Sequence, residues 1–165
     1  AGVLLRRKLP PPAASQVYEL TEWGYECEPI FQALGRWAVR SPAHDPAMPF
    51  SASSLMLSLR TMFDPEKADG FAARLGFVVG DQSFLARVAD GRIEIAAETP
   101  DTADVVLAAE PPVIAGAVYG KVPLAALEAD GALTMTGDRA VAERFVALFA
   151  LPPKAEAKLA ATAPE

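Results

Sequence analysis

Residues 71–98 read FAARLGFVVGDQSFLARVADGRIEIAAE, and apolar side chains fall on every second position of three successive runs. Phe71, Ala73, Leu75, Phe77 and Val79 form the first, Phe84, Ala86 and Val88 the second, and Ile93, Ile95 and Ala97, set against Arg92, Glu94 and Glu98, the third. Alternation of this kind marks strands with one buried face. Gly80-Asp81 and Asp90-Gly91 separate the runs with hairpin-turn chemistry, so the stretch predicts an antiparallel meander with one apolar face. Pro100-Asp101 makes a further turn before a fourth strand over 104–109.

Downstream the period becomes helical. Pro111 and Pro112 open a helix whose Val113, Ile114, Ala117 and Val118 share a face and which Gly120 ends. A short helix spans 123–130 up to Gly131, a strand carries Leu133 and Met135, and Asp138 caps a last helix with Val141, Phe145, Leu148 and Phe149 inward. Upstream, Leu55, Leu59, Met62 and Phe63 place a helix at 51–63. The domain at 51–151 therefore reads αββββααβα, and the Ala/Pro/Lys/Glu-rich tail at 152–165 is expected to be poorly ordered.

The front of the chain reads differently. Short strands at 3–7 and 17–20 flank a loop stiffened by Pro10-Pro11-Pro12, and Thr21 is placed to cap one long helix reaching residue 40. On that helix Trp23, Cys27, Ile30, Phe31, Leu34 and Trp37 recur at steps of three and four. So many large apolar groups on one small segment predict a homodimer interface. Residues 41–50, with Pro42, Pro46 and Pro49, read as the linker between this unit (1–40) and the domain at 51–151.

Composition bounds the chemistry. With 165 residues, 17.4 kDa and 52% hydrophobic content the chain can bury a core, which excludes wholesale disorder. A single Cys27 and a single His44 leave no internal disulfide and too few soft ligands for a structural zinc site. No apolar run reaches the roughly 20 residues of a membrane helix, so no membrane partner and a cytosolic location are expected. The chain starts at Ala1 within a strand and without Met, as expected of part of a longer protein. The net charge of −6 is uneven: residues 1–40 carry +1, with Arg6-Arg7-Lys8 in one run, and residues 41–165 carry −7. Such a run can meet phosphates.

Two stretches resemble known families. Val17-Tyr18-Glu19-Leu20-Thr21-Glu22-Trp23-Gly24, then Glu28-Pro29-Ile30 and Leu34-Gly35-Arg36-Trp37-Ala38, resemble the end of the winged helix-turn-helix domain of HxlR-type transcription regulators. That resemblance implies a wing hairpin whose Arg6, Arg7 and Lys8 contact the backbone of double-stranded DNA, and a helix that pairs two chains. The recognition helix that would precede the wing lies outside this sequence, so base readout falls on no residue here. Asp104-Val105-Val106-Leu107, the helix running to Tyr119-Gly120-Lys121, and the stretch from Asp130-Gly131 through Gly137-Asp138 look like a sterol carrier protein type-2 domain. That resemblance implies a five-stranded, mostly antiparallel sheet covered by helices, with an apolar tunnel that holds a hydrophobic small molecule.

The expected fold is thus α+β, a wing hairpin and dimerisation helix followed by the sterol-carrier-like domain. The candidate pocket residues are Phe71, Leu75, Phe77, Phe84, Ile93, Ile95, Val118, Leu124, Met135, Phe145 and Phe149, apolar groups able to line a cavity between sheet and helices. No nucleophile-and-base pattern is evident, and Asp101 and Asp104 are explained by their turn, so no catalytic residue, metal or cofactor is assigned. The resulting expectation is a homodimeric DNA-binding regulator with a hydrophobic effector. The alternative is a dimeric hydrophobic-ligand carrier without DNA binding, and an enzyme using the cavity comes third.

Overall fold

The computed structural model describes residues 2–9, 15–45 and 48–156. At the front, β1 (Leu4–Lys8) pairs antiparallel with β2 (Gln16–Leu20), which sets Arg6 opposite Tyr18 and Lys8 opposite Gln16. Pro10-Pro11-Pro12 and Pro46, read as a loop tip and a linker proline, lie outside the described residues. Thr21 caps the next element as expected: its Oγ1 accepts from the Gly24 N–H at 2.9 Å and donates to the Gly2 carbonyl at 2.6 Å, tying hairpin to helix.

The single helix expected over 21–40 is two helices, α1 (Glu22–Tyr25) and α2 (Glu28–Ala38). Pro29 has no N–H to give the Tyr25 carbonyl and its ring crowds that oxygen, so the chain stops and restarts with Pro29 in the first turn of α2. Cys27, at the break, donates its thiol to the Gly24 carbonyl at 2.7 Å.

After the linker, α3 (Ala52–Met62) starts at Ser51, whose Oγ accepts from the Ser54 N–H at 3.1 Å. Then follow β3 (Ala73–Val79), β4 (Gln82–Ala89), β5 (Arg92–Ala96), β6 (Val105–Ala108), α4 (Pro111–Val118), α5 (Leu124–Ala129), β7 (Thr134–Gly137) and α6 (Arg139–Val146). The order αββββααβα holds. The sheet runs β5-β4-β3-β6-β7, antiparallel except that β6 lies parallel to β3, with Leu75 opposite Val105 and Phe77 opposite Leu107. Glycine at position 76 permits this crossover. A Cβ there would meet the Pro100 Cβ at 2.4 Å and Val106 Cγ2 at 3.0 Å, so the connection from β5 to β6 can cross the outer face of β3 only over a residue without a side chain.

Leu75, Phe77, Phe145 and Phe149 are fully buried beneath the helices, and the rings of Phe145 and Phe149 meet edge to face at 4.9 Å. Each such side chain contributes about 2 kcal/mol by burial. Asp138 Oδ1 caps α6 by accepting from the Ala140 N–H at 2.8 Å. Lys121 binds two helix ends together. Its Nζ donates to the carbonyls of Val118 (2.8 Å) and Val146 (3.0 Å), which end α4 and α6 without helical partners, and to that of Phe149 (2.9 Å) in the segment after α6.

The start of the tail is held in place. The Ala155 N–H donates to the Arg40 carbonyl at 2.7 Å, Arg40 Nε to the Pro153 carbonyl at 3.2 Å, and Lys154 Nζ to the carbonyls of Val39 and Ser41, each at 3.1 Å. Residues 153–155 thus strap the end of the segment that follows α2, where composition alone suggests a loose tail. Residues 157–165 lie outside the description. No described helix is long and apolar enough to cross a membrane.

Candidate functional site

Helix α2 carries three stripes, each used differently. Glu28, Gln32 and Arg36, at steps of four, face α3: Glu28 pairs with Arg60 at 2.6 Å and is braced by Gln32 Nε2 at 2.9 Å. Arg36 Nη1 donates to the Thr61 carbonyl at 2.9 Å, one of the last carbonyls of α3, which has no helical partner. These contacts seat α2 beside α3. Phe31, Gly35 and Ala38 form the second stripe and face a cavity of about 690 Å³. Ile30, Leu34 and Trp37 form the third and face outward, Ile30 and Trp37 being 68% and 71% exposed.

The cavity is half open to solvent and is bordered by α2, α3, the 44–50 segment, α4 and the turn after it, and Leu151. Much of its wall is apolar: Val39, Met48, Pro49, Phe50, Leu57, Met62 and Ala115. Its space comes from side chains that are missing. A Cβ on Gly35 would meet Thr61 Cγ2 at 3.6 Å, and one on Gly116 would meet Val122 Cγ2 at 3.8 Å, ordinary contacts that show no clash at either position. Across the wall, Ser58 Oγ and the Tyr119 hydroxyl share a hydrogen bond of 2.7 Å. Burial pushes the Tyr119 phenol up to about 12, against a smaller downward pull from the Ser58 bond, so it stays neutral and able to donate. Thr61 Oγ1 is already committed to the Leu57 carbonyl at 2.7 Å. The charged side chain on the wall is Asp45, beside His44.

None of the eleven residues expected to line a pocket borders this cavity. Leu75, Phe77, Phe84, Val118, Leu124, Phe145 and Phe149 are buried in the core, and Phe71, Ile93, Ile95 and Met135 pack against it half-buried. Leu124 and Phe149 also border a smaller cleft of about 470 Å³ between α4, α5 and α6. Of the six residues assigned to a dimer face, Trp23, Ile30, Phe31, Leu34 and Trp37 are exposed and Cys27 is half-buried; Pro29 divides them between two helices, and Phe31 turns toward the cavity. Arg6, Arg7 and Lys8 do lie on one exposed strand, but strand alternation puts Arg7 on the face opposite Arg6 and Lys8. Arg7 pairs with Glu19 at 3.1 Å and Arg6 with Gln16, so the run does not form one free cationic face. Among the described residues no group of acidic, His and Cys side chains could hold a metal ion.

Sequence reading missed Gly35, Ser58, Ala115, Gly116 and Tyr119. Two adjacent small residues on α4, one turn before a tyrosine, and a serine on the apolar side of α3 were the available signals.

The family model of the SCP-2 sterol transfer family matches residues 58–150. No curated protein matches the sequence. Among solved structures, the stereoselective inverting sec-alkylsulfatase from Pseudomonas sp. is similar with a TM-score of 0.56 and 20% identity, over 61% of this chain and 16% of that one. The chain therefore spans about a sixth of the sulfatase's length, and the likeness is one of fold. A structure titled UbiJ-SCP2 ubiquinone synthesis protein aligns with a TM-score of 0.46 and 21% identity, over 79% of this chain and 93% of that one.

Proposed function

The chain belongs to the SCP-2 sterol transfer family, and from that premise we propose that it binds a hydrophobic small molecule in the cavity between α2, α3 and α4. One observation carries the reading: a cavity of about 690 Å³ whose walls are mostly apolar and carry a few polar groups, among them Ser58 and Tyr119. Ligand sites of this size bury most of an apolar ligand and orient it by a small number of hydrogen bonds. Binding, rather than turnover, is the proposed activity, and no catalytic residue is assigned.

The regulator reading draws less support. The family match begins at residue 58, beyond the hairpin and α2, and Arg6 and Arg7 are engaged by Gln16 and Glu19. The carrier reading, without DNA, is the one adopted. The outward stripe of Ile30, Leu34 and Trp37 is proposed as the face on which two copies meet.

Titrating the full chain with Nile red, whose emission rises in apolar surroundings, tests the binding reading. Saturable one-site uptake is expected, and emission that stays at the level of free dye refutes it.

A further inference from the structure

We infer that the cavity selects neutral amphiphiles, carrying a hydroxyl or carbonyl, over ligands of the same chain length that end in an anion. The inference rests on the binding reading above and names the class of ligand. Among the described residues that line the cavity there is no lysine or arginine; the one fixed charge is the carboxylate of Asp45. Of the cations on the neighbouring elements, Arg36 and Arg60 are spent on the Thr61 carbonyl and on Glu28, and Lys154 on the carbonyls of Val39 and Ser41. A carboxylate, phosphate or sulfate drawn into this wall would lose its water and meet no lysine or arginine side chain of the lining. The surrounding field acts the same way, because residues 41–165 carry a net charge of −7.

The polar groups present suit an uncharged head. Ser58 and Tyr119 own two hydroxyl hydrogens, and their mutual 2.7 Å bond uses one. The other remains to be donated to a ligand oxygen, while the two hydroxyl oxygens keep lone pairs for a ligand O–H. Thr61 adds an acceptor but no donor, its hydrogen being held by the Leu57 carbonyl. Together Ser58, Tyr119 and Thr61 offer one donor and several acceptors, a match for an alcohol, ester or ketone.

The test displaces Nile red from the full chain with 1-hexadecanol, methyl hexadecanoate and hexadecanoate, each kept below its aggregation limit at neutral pH. The alcohol and the ester are expected to displace the dye at concentrations at least about tenfold lower than the acid. Tyr119→Phe should weaken the alcohol by about tenfold, the loss of one buried hydrogen bond, without weakening the acid. Equal or tighter binding of the acid overturns the inference while leaving the cavity a hydrophobic site, and so does an alcohol that fails to displace bound dye. Absence of saturable dye uptake instead strikes the binding reading itself.

Discussion

Replacing Gly116 by leucine should abolish ligand uptake without weakening the fold. Gly116 lies in α4 and borders the cavity, and a Cβ there would meet only Val122 Cγ2, at 3.8 Å. The Cβ therefore makes an ordinary contact and no clash, and a larger side chain is admitted at the cavity wall. Its four carbons take the place of about four ligand carbons, and at roughly 0.8 kcal/mol for each buried methylene the ligand loses about 3 kcal/mol, or roughly 200-fold in Kd. Stability moves the other way, since leucine is favoured over glycine inside a helix by about 0.8 kcal/mol. The assay is a Nile red titration beside urea denaturation of the same protein. A variant that is as stable as the parent but no longer takes up dye is the expected result. A G116L protein that binds dye with unchanged affinity would refute the placement of the ligand.

Tyr119 gives a pH dependence whose sign is fixed by its environment. The folded phenol, raised to about 12 by burial, holds its proton while the unfolded one releases it near 10, so this contribution is complete below pH 10 and is lost as pH rises toward 12. Between pH 9 and 11.5 the parent should lose about 2 kcal/mol more than Tyr119→Phe in urea denaturation; parallel losses would remove the effect. Lys121→Met strips two helix-end carbonyls and the Phe149 carbonyl of their donor and should cost about 3 kcal/mol, read as a fall in Tm, and an unchanged Tm would show the ammonium to be dispensable. Gly76→Ala drives a methyl against Pro100 and should destabilise by about 3 kcal/mol, whereas wild-type stability would mean that the crossover connection yields freely. Trp37→Glu places a charge on the outward stripe of α2 and should shift sedimentation toward monomer; a parent that already sediments as a monomer at high concentration disposes of the proposed pairing.

The sheet was legible because its signals are local. Alternating residues at 71–98 need no knowledge of their neighbours, and Asp90-Gly91 adopts positive φ at both residues, 52° and 68°, as a tight hairpin turn requires. The parallel place of β6 depended on Gly76, which within an alternating run looks like a mere gap; its meaning lies in Pro100, distant in sequence. The break in the front helix was written in Pro29, yet the three-and-four spacing of apolar residues continues across it and conceals it. The cavity was not legible for a deeper reason. Large apolar residues mark where space is filled, so a list of Phe77, Phe145 and their like finds the core. A cavity is bounded where side chains are small, at Gly35, Ala38, Ala115 and Gly116, and small residues carry no periodic signal.

The wall of this cavity also crosses the limits of the family match. Ser58, Thr61, Met62 and the α4 residues belong to the matched region, but Phe31, Gly35, Ala38, the 44–50 segment, Leu57 and Leu151 lie outside 58–150. The matched domain alone would offer part of an apolar groove, and α2 adds a further side to it, held by Arg36 on Thr61 and by Glu28 on Arg60. The strap at 153–155 holds the other end of the same segment through Val39, Arg40 and Ser41. The extent of the cavity is therefore set by the front helix as well as by the matched domain, while its hydroxyl groups at Ser58, Thr61 and Tyr119 come from the matched domain. Arg36→Ala separates the two contributions: it leaves the sheet and its core untouched but removes the bond that seats α2. If the helix forms the wall, ligand should dissociate faster from this variant while its urea midpoint changes little. A dissociation rate equal to that of the parent would return the site to the carrier domain alone.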